Sequence, residues 1–266
     1  MEKDLSYIIE GWDYDPDDFL GNVKRIRGED GRNKIQLRTD LGVYQMELSG
    51  RPDGKKPGGK NSLLGYYLAN VQEQRIKYGK EVSLQLAEQD IAKLYREALQ
   101  YYHRRICLFA LKEFELARKD AEHTLMIMDL VKKHSISKWA VLHFEQYRPY
   151  MLGEKTRAIG LHFLEKKDYA GAMRGLKQGI NEIINFYKEY GREDFVNKCQ
   201  QIKFLKQWQE QLRKEWEDDT GVSSTSSLSL EEQLEIAILQ ENYEEASRIR
   251  DLLISQKEGW TGRDDG

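Results

Sequence analysis

Cysteine and proline are scarce in this chain, with two and four respectively among 266 residues. Cys107 and Cys199 are isolated from each other, too few for a disulfide framework and without the paired spacing of a zinc knuckle, so two buried thiols are expected. Long apolar runs are missing too: nothing approaches the roughly 18 to 20 consecutive apolar residues of a membrane helix. The opening MEKDLSYIIEGWDYDPDD is acidic, where a secretion signal would be basic and then apolar. A cytoplasmic protein with no membrane partner is expected. Catalytic signatures are also wanting, with no His-Glu-x-x-His, no Gly-x-Ser-x-Gly and no repeated Glu-x-x-His. The expectation is therefore a non-enzyme that needs no cofactor.

What the chain does have is charge, unevenly spread. Charged residues make up 33%, above the roughly 25% of ordinary globular chains. Residues 136 to 216 carry 15 basic and 10 acidic side chains, a surplus of 5, whereas residues 217 to 266 carry 4 and 13, a deficit of 9. A weakly basic stretch thus precedes a strongly acidic tail.

Turn-forming residues crowd the start. Pro16, Pro52 and Pro57 fall there, and beyond Gly58 only Pro149 interrupts. Residues 22 to 27, 34 to 39 and 43 to 48 alternate apolar and polar, as strands do. Gly28 to Gly31 and Asp40 to Gly42 offer the φ > 0 positions of tight connections, which predicts a three-stranded antiparallel meander. Three short strands are marginal alone, so one face is expected to lie on helices. From Leu63 onward the apolar spacing becomes helical: Ala87, Ile91, Leu94, Ala98, Tyr101 and Leu108 form one stripe, and Cys199, Ile202, Leu205, Trp208, Leu212 and Trp216 another. Residues 217 to 229, EDDTGVSSTSSLS, have almost nothing to bury and read as a flexible linker. Ser229 to Glu232 then has the form of a capping box at a helix start.

The predicted fold is mainly α. A β-meander cap (1–60) packs on a helical body (61–216), followed by the linker (217–229) and a helical hairpin (230–257).

Three places share an acidic or amide residue, an aromatic, two variable residues and Ala: Glu113 to Ala117, Asp168 to Ala172 and Asn242 to Ala246. Each joins two helical stretches. The first two resemble the turn of a tetratricopeptide repeat, which implies stacked antiparallel helix pairs. The match is irregular, because the copies lie 55 residues apart, neither ends in proline, and Arg105 stands where that family wants a small residue.

The third is more specific. Leu230-Glu-Glu-Gln-Leu234 leads through Ala237-Ile238 to Glu241-Asn-Tyr-Glu-Glu-Ala-Ser-Arg-Ile-Arg-Asp251, which resembles the UVR motif. That motif is a small helical hairpin shared by the excision-repair proteins UvrB and UvrC and by some chaperone and arginine-kinase accessory proteins. The resemblance implies a protein partner, docked through Leu234, Ile238, Tyr243, Ala246, Ile249, Arg250 and Leu253, itself presenting a helical hairpin. Helicase motifs, nuclease motifs and paired-cysteine zinc sites are lacking, so repair chemistry does not transfer. The expected role is an adaptor, with a DNA-repair or nucleic-acid accessory factor as the alternative.

Other strings are weaker. Gly54-Lys-Lys-Pro-Gly-Gly-Lys60-Asn61 comes within one residue of a phosphate-binding loop, but Asn61 replaces the magnesium-binding hydroxyl and Pro57 removes an amide donor. Asp13 to Asp18 begins like a calcium loop yet has Asp18 at the glycine position and Lys24 at the closing glutamate. His103 and Cys107 share a helix face without further ligands nearby. Lys198, Lys203, Lys206, Trp208 and Arg213 are more easily read as a solvated helix face than as a nucleic-acid surface.

The linker assignment has a direct test. Limited proteolysis of the intact chain should cut first between residues 217 and 229; earlier cuts between Leu63 and Trp216 would refute it.

Overall fold

The structure, a computed structural model, describes residues 5–79, 84–220, 230–239 and 242–261. It is mainly helical, with one three-stranded sheet near the N-terminus. The chain divides into two compact units, Met1–His162 and Phe163–Gly266.

The first unit holds a short helix α1 (Ser6–Ile9) and strands β1 (Val23–Arg27), β2 (Asn33–Thr39) and β3 (Gly42–Glu47). Helices α2 (Leu63–Tyr78), α3 (Glu88–Ala110), α4 (Phe114–His134) and α5 (Lys138–Glu145) follow, and α6 (Arg148–Glu165) contains the boundary. The strands pair antiparallel in the order β1-β2-β3. Their register follows from period two. Val23, Ile35, Leu37 and Met46 are buried on one face, while on the other Lys34 sits opposite Glu47 and bonds it at 2.8 Å, and Gln36 bonds Gln45 at 3.0 Å. One turn departs from expectation. Gly31 takes φ 73°, but none of Asp40, Leu41 and Gly42 has positive φ. Gly42 instead opens β3, and its carbonyl accepts from the Thr39 hydroxyl at 3.1 Å and the Arg38 guanidinium at 3.2 Å. Side-chain bonds close this turn where a glycine was expected to do it.

The inward face of the sheet shares one core with Cys107 and Leu108 of α3, Ala117 of α4 and Ala158 of α6. Burial pushes the Cys107 thiol up to about 12, so it stays protonated as a packing group. The meander therefore lies on helices, as three marginal strands require.

Polar groups of α3 hold the connection from β3 to α2. Glu97, Tyr101 and Arg104 recur at four- and three-residue steps and so share one face. Arg104 makes a bidentate pair with Asp120 of α4, at 2.8 and 2.6 Å, and donates to the carbonyls of Glu47 at 2.9 Å and Gly50 at 2.8 Å. The Tyr101 hydroxyl donates to Gly50 at 3.1 Å. Glu97 accepts from the first amides of α2, Leu63 at 2.7 Å and Leu64 at 3.0 Å, and lies 3.0 Å from His123 Nε2. A carboxylate at a helix N-terminus is favourable, since it answers free amides and the helix dipole together. Ser62 completes the start of α2 by accepting from Gly65 at 2.9 Å, and Gly79 at φ 63° ends the helix.

The second unit continues from α6 into α7 (Tyr169–Glu189), α8 (Gln200–Thr220), α9 (Leu230–Leu239) and α10 (Tyr243–Thr261). The helix α8 runs through Glu217 to Thr220, four residues into the stretch expected as linker, and 221–229, with Ser229 of the capping box, lie outside the described residues. On α8 most of the stripe is buried, Leu205 and Leu212 almost wholly, with Trp208 half-buried, and on α7 Leu176 and Ile183 are covered likewise. Trp216 packs on Met173, its ring stacked on Tyr169 at 6.4 Å.

The three sequence corners have one geometry. At each, the acidic or amide residue donates its backbone N–H to the carbonyl five residues earlier: Glu113 to Leu108 at 2.8 Å, Asp168 to Phe163 at 3.0 Å and Asn242 to Ala237 at 2.9 Å. The preceding residues Lys112 and Lys167 are left-handed at φ 57°, as the helix-ending Schellman turn demands. Asp168 and Asn242 then cap the next helix, accepting from Gly171 at 2.7 Å and Glu245 at 3.2 Å. Glu113 does not. Its carboxylate turns to Arg25 of β1 at 2.5 Å, trading a helix cap for a tie to the sheet.

Glu97 provides a pH test of this unit. Burial alone would raise its carboxyl, but His123 and the amides of Leu64 and Leu63 outweigh burial and hold it below the usual carboxylate range. A carboxyl lowered by folding adds stability that is complete above its unfolded value and lost as pH falls through the folded one. Glu97→Gln should therefore cost on the order of 1.5 to 3 kcal/mol at neutral pH, and less in acid. Urea melts at pH 7 and pH 3 would measure this; an equal loss at both would contradict the role given to its charge.

Candidate functional site

The C-terminal hairpin is the part of the chain whose sequence points to a partner. Its apolar residues divide between two jobs. Ala237 of α9 and Ala246 and Ile249 of α10 are buried against each other, Ile249 only 1% exposed, with Leu230, Leu234 and Leu253 packed around them. Small residues at 237 and 246 allow the close approach that lets Ile249 fill the seam. Other apolar residues stay outside: Ile238 is 45%, Tyr243 71% and Ile254 48% exposed.

This sorting changes the set of residues expected to meet a partner. Ala246 and Ile249 are consumed by the hairpin itself, and Leu234 and Leu253 are half-buried beside them. Ile238, Tyr243 and Arg250 remain accessible. On α10, Tyr243, Ser247, Arg250 and Ile254 recur at steps of four, three and four and so form one stripe, which sequence reasoning missed at Ile254. Arg250 is held in that stripe by Asp251 at 3.1 Å and the Ser247 hydroxyl at 3.3 Å. Arg248, on another side, pairs with Glu245 at 2.7 Å and lowers its carboxyl. Within the same unit, Lys177 Nζ of α7 donates to the Ile238 carbonyl at 2.9 Å, a lysine answering a free carbonyl near the end of α9.

The remaining candidates resolve differently. The phosphate-loop-like string leads to the start of α2, but the amides there are already spent: Leu63 and Leu64 on Glu97, Gly65 on Ser62. An internal carboxylate occupies the place a phosphate would need. In the calcium-like stretch, Asp15 and Asp18 accept from the backbone amides of Asp17 at 2.9 Å and Gly21 at 3.0 Å, and among the described residues no cluster of three metal-ligating groups forms. His103 stacks on Tyr44 at 5.6 Å and Cys107 is buried in the core, so each side chain is engaged in packing. On α8, Arg213 is paired with Glu210 and Glu217, while Lys203 and Lys206 are exposed.

Sequence reasoning also missed a cavity in the first unit, lined chiefly by aromatic residues of α3, α5 and α6. Its one signal was Arg105, the residue too large for its repeat position.

The two classes of hairpin residue should separate by experiment. Ile249→Ala should cost the hairpin about 2 kcal/mol or more, so amide exchange across 243 to 253 should speed at least about tenfold. Tyr243→Ser should leave exchange nearly unchanged. Equal effects would mean that Tyr243 also belongs to the seam.

No curated protein and no solved structure matches this chain. A family match is found where the described hairpin lies: the UvrB/UvrC motif matches residues 229–258. The chain thus carries a UVR motif as its C-terminal helical hairpin.

Proposed function

We propose that this protein is a non-enzymatic adaptor that docks a protein partner through the exposed stripe of its UVR hairpin. The observation that carries the reading is the division of apolar side chains: the hairpin closes its own seam with Ala237, Ala246 and Ile249 and still presents Ile238, Tyr243 and Ile254 outward. Large exposed apolar residues gathered beside a formed seam are what an interface uses, and an aromatic with a neighbouring arginine is a frequent anchor pair. The resemblance to UVR hairpins suggests that the partner offers a helical hairpin of its own. The UVR motif fits a DNA-repair-related role as well as protein interaction. Direct nucleic-acid binding is less well supported, because the hairpin belongs to the acidic tail and Arg213 of the basic stretch is neutralised by two glutamates.

Capture with the intact chain and with the double variant Tyr243→Ser, Ile254→Ser tests the reading. Partners should be retained at 0.5 M salt, where screening shortens to roughly 4 Å, and lost in the double variant. Arg250→Ala should weaken capture less, since rim charges contribute little. Retention by the double variant, with release by salt alone, would replace the apolar dock with an electrostatic one.

A further inference from the structure

The cavity in the first unit has a volume of about 530 Å³, within the roughly 300 to 1,000 Å³ of small-molecule sites. Its wall includes Tyr95, Tyr102, Phe144, Tyr147, Tyr150 and Met151. His143 also lines it and stacks on Trp139 at 5.1 Å, and Trp139 is itself 73% exposed, so the aromatic surface continues outward from the cavity. Such a wall accepts the faces and edges of a flat apolar body.

Directly behind this wall lies Arg105, 0% exposed. Its guanidinium stands 5.4 Å from the Tyr102 ring and 5.7 Å from the Tyr150 ring, and its Nη1 rests on Met151 Sδ at 3.3 Å. All three neighbours are cavity residues. Among the described residues Nε and Nη2 find no hydrogen-bond acceptor at normal geometry, and the guanidinium's side-chain partners are the Tyr150 hydroxyl and the weakly accepting Met151 sulfur. Glu154 lies 3.7 Å from Nε and is shared with Arg157 at 3.8 Å, while Asp120, which also feels Arg105, is already paired with Arg104 at 2.6 Å. A buried cation with unanswered donors is expensive, and an incoming carboxylate would satisfy both charge and donors.

We propose that this cavity binds a small flat carboxylate, its ring held among the tyrosines and its carboxylate turned past Tyr102, Tyr150 and Met151 to Arg105. The site is independent of the hairpin, being built wholly from the first unit. Apolar burial supplies part of the affinity and the guanidinium supplies selectivity for an acid over its neutral amide, because the amide lacks the charge and has one acceptor in place of two.

Titration calorimetry on the full chain, with indole-3-acetate, phenylacetate and cinnamate against the corresponding amides, tests this. At least one acid should bind with Kd below about 1 mM and about tenfold or more tighter than its amide. Arg105→Met, which removes the charge and keeps an apolar stem, should erase the preference while leaving amide binding in place. Ala98→Phe, which narrows the cavity from α3 and leaves Arg105 alone, should weaken acid and amide together and decides the question should Arg105→Met not fold. Equal binding of acid and amide, unchanged acid binding in either variant, or no binding by any of the three acids would overturn the proposal.

Discussion

The first unit depends on a small number of buried polar bonds made by one face of α3. The segment between β3 and α2 has too few apolar residues to dock by burial, and its carbonyls and amides cannot be left dry without partners. Arg104 answers two of those carbonyls, Tyr101 adds a second donor to Gly50, and Glu97 answers two amides at the start of α2. Each of these side chains is charged or aromatic and buried, which is tolerable because each is itself held: Arg104 by Asp120, Glu97 by His123, and His123 by stacking on Tyr101 at 3.7 Å. Breaking one bond would strand the others, so the network fixes one arrangement of sheet and helices.

The corners show a second economy. One hydrogen-bond geometry turns the chain at Glu113, Asp168 and Asn242, and only the side chain differs in its use. At two corners it caps the following helix. At the first it reaches Arg25, so the α3–α4 corner also anchors the sheet edge. The left-handed Lys112 and Lys167 are tolerated because two backbone bonds and an aromatic at the next helix start determine the turn.

In the hairpin, the same motif residues serve two ends. Alanines at 237 and 246 bring the helices close enough for Ile249 to be enclosed. Ile238 and Tyr243 lie off that seam and remain outside as surface. A larger residue at either alanine would both open the seam and displace the stripe, so closure of the hairpin and presentation of the stripe are linked.

The sequence by itself determined the element types, the sheet order, the corners and the motif. Period two in Ile35 and Leu37 and three- or four-residue steps in the helices state which face is apolar, and the UVR resemblance rests on contiguous residues. It could not determine which apolar residues of the hairpin face each other and which face outward. Tyr243 and Ile249 both fit the spacing, and only the crossing of α9 over α10 assigns Ile249 to the seam. The role of Arg105 was equally hidden, visible only as an oversized residue in a repeat. That a buried guanidinium only partly satisfied stands behind an aromatic cavity is decided by side chains from α3 and α6, 46 residues apart for Arg105 and Met151. Charge pairing and burial are properties of distance in space, and the chain folds those distances only once tertiary packing is complete.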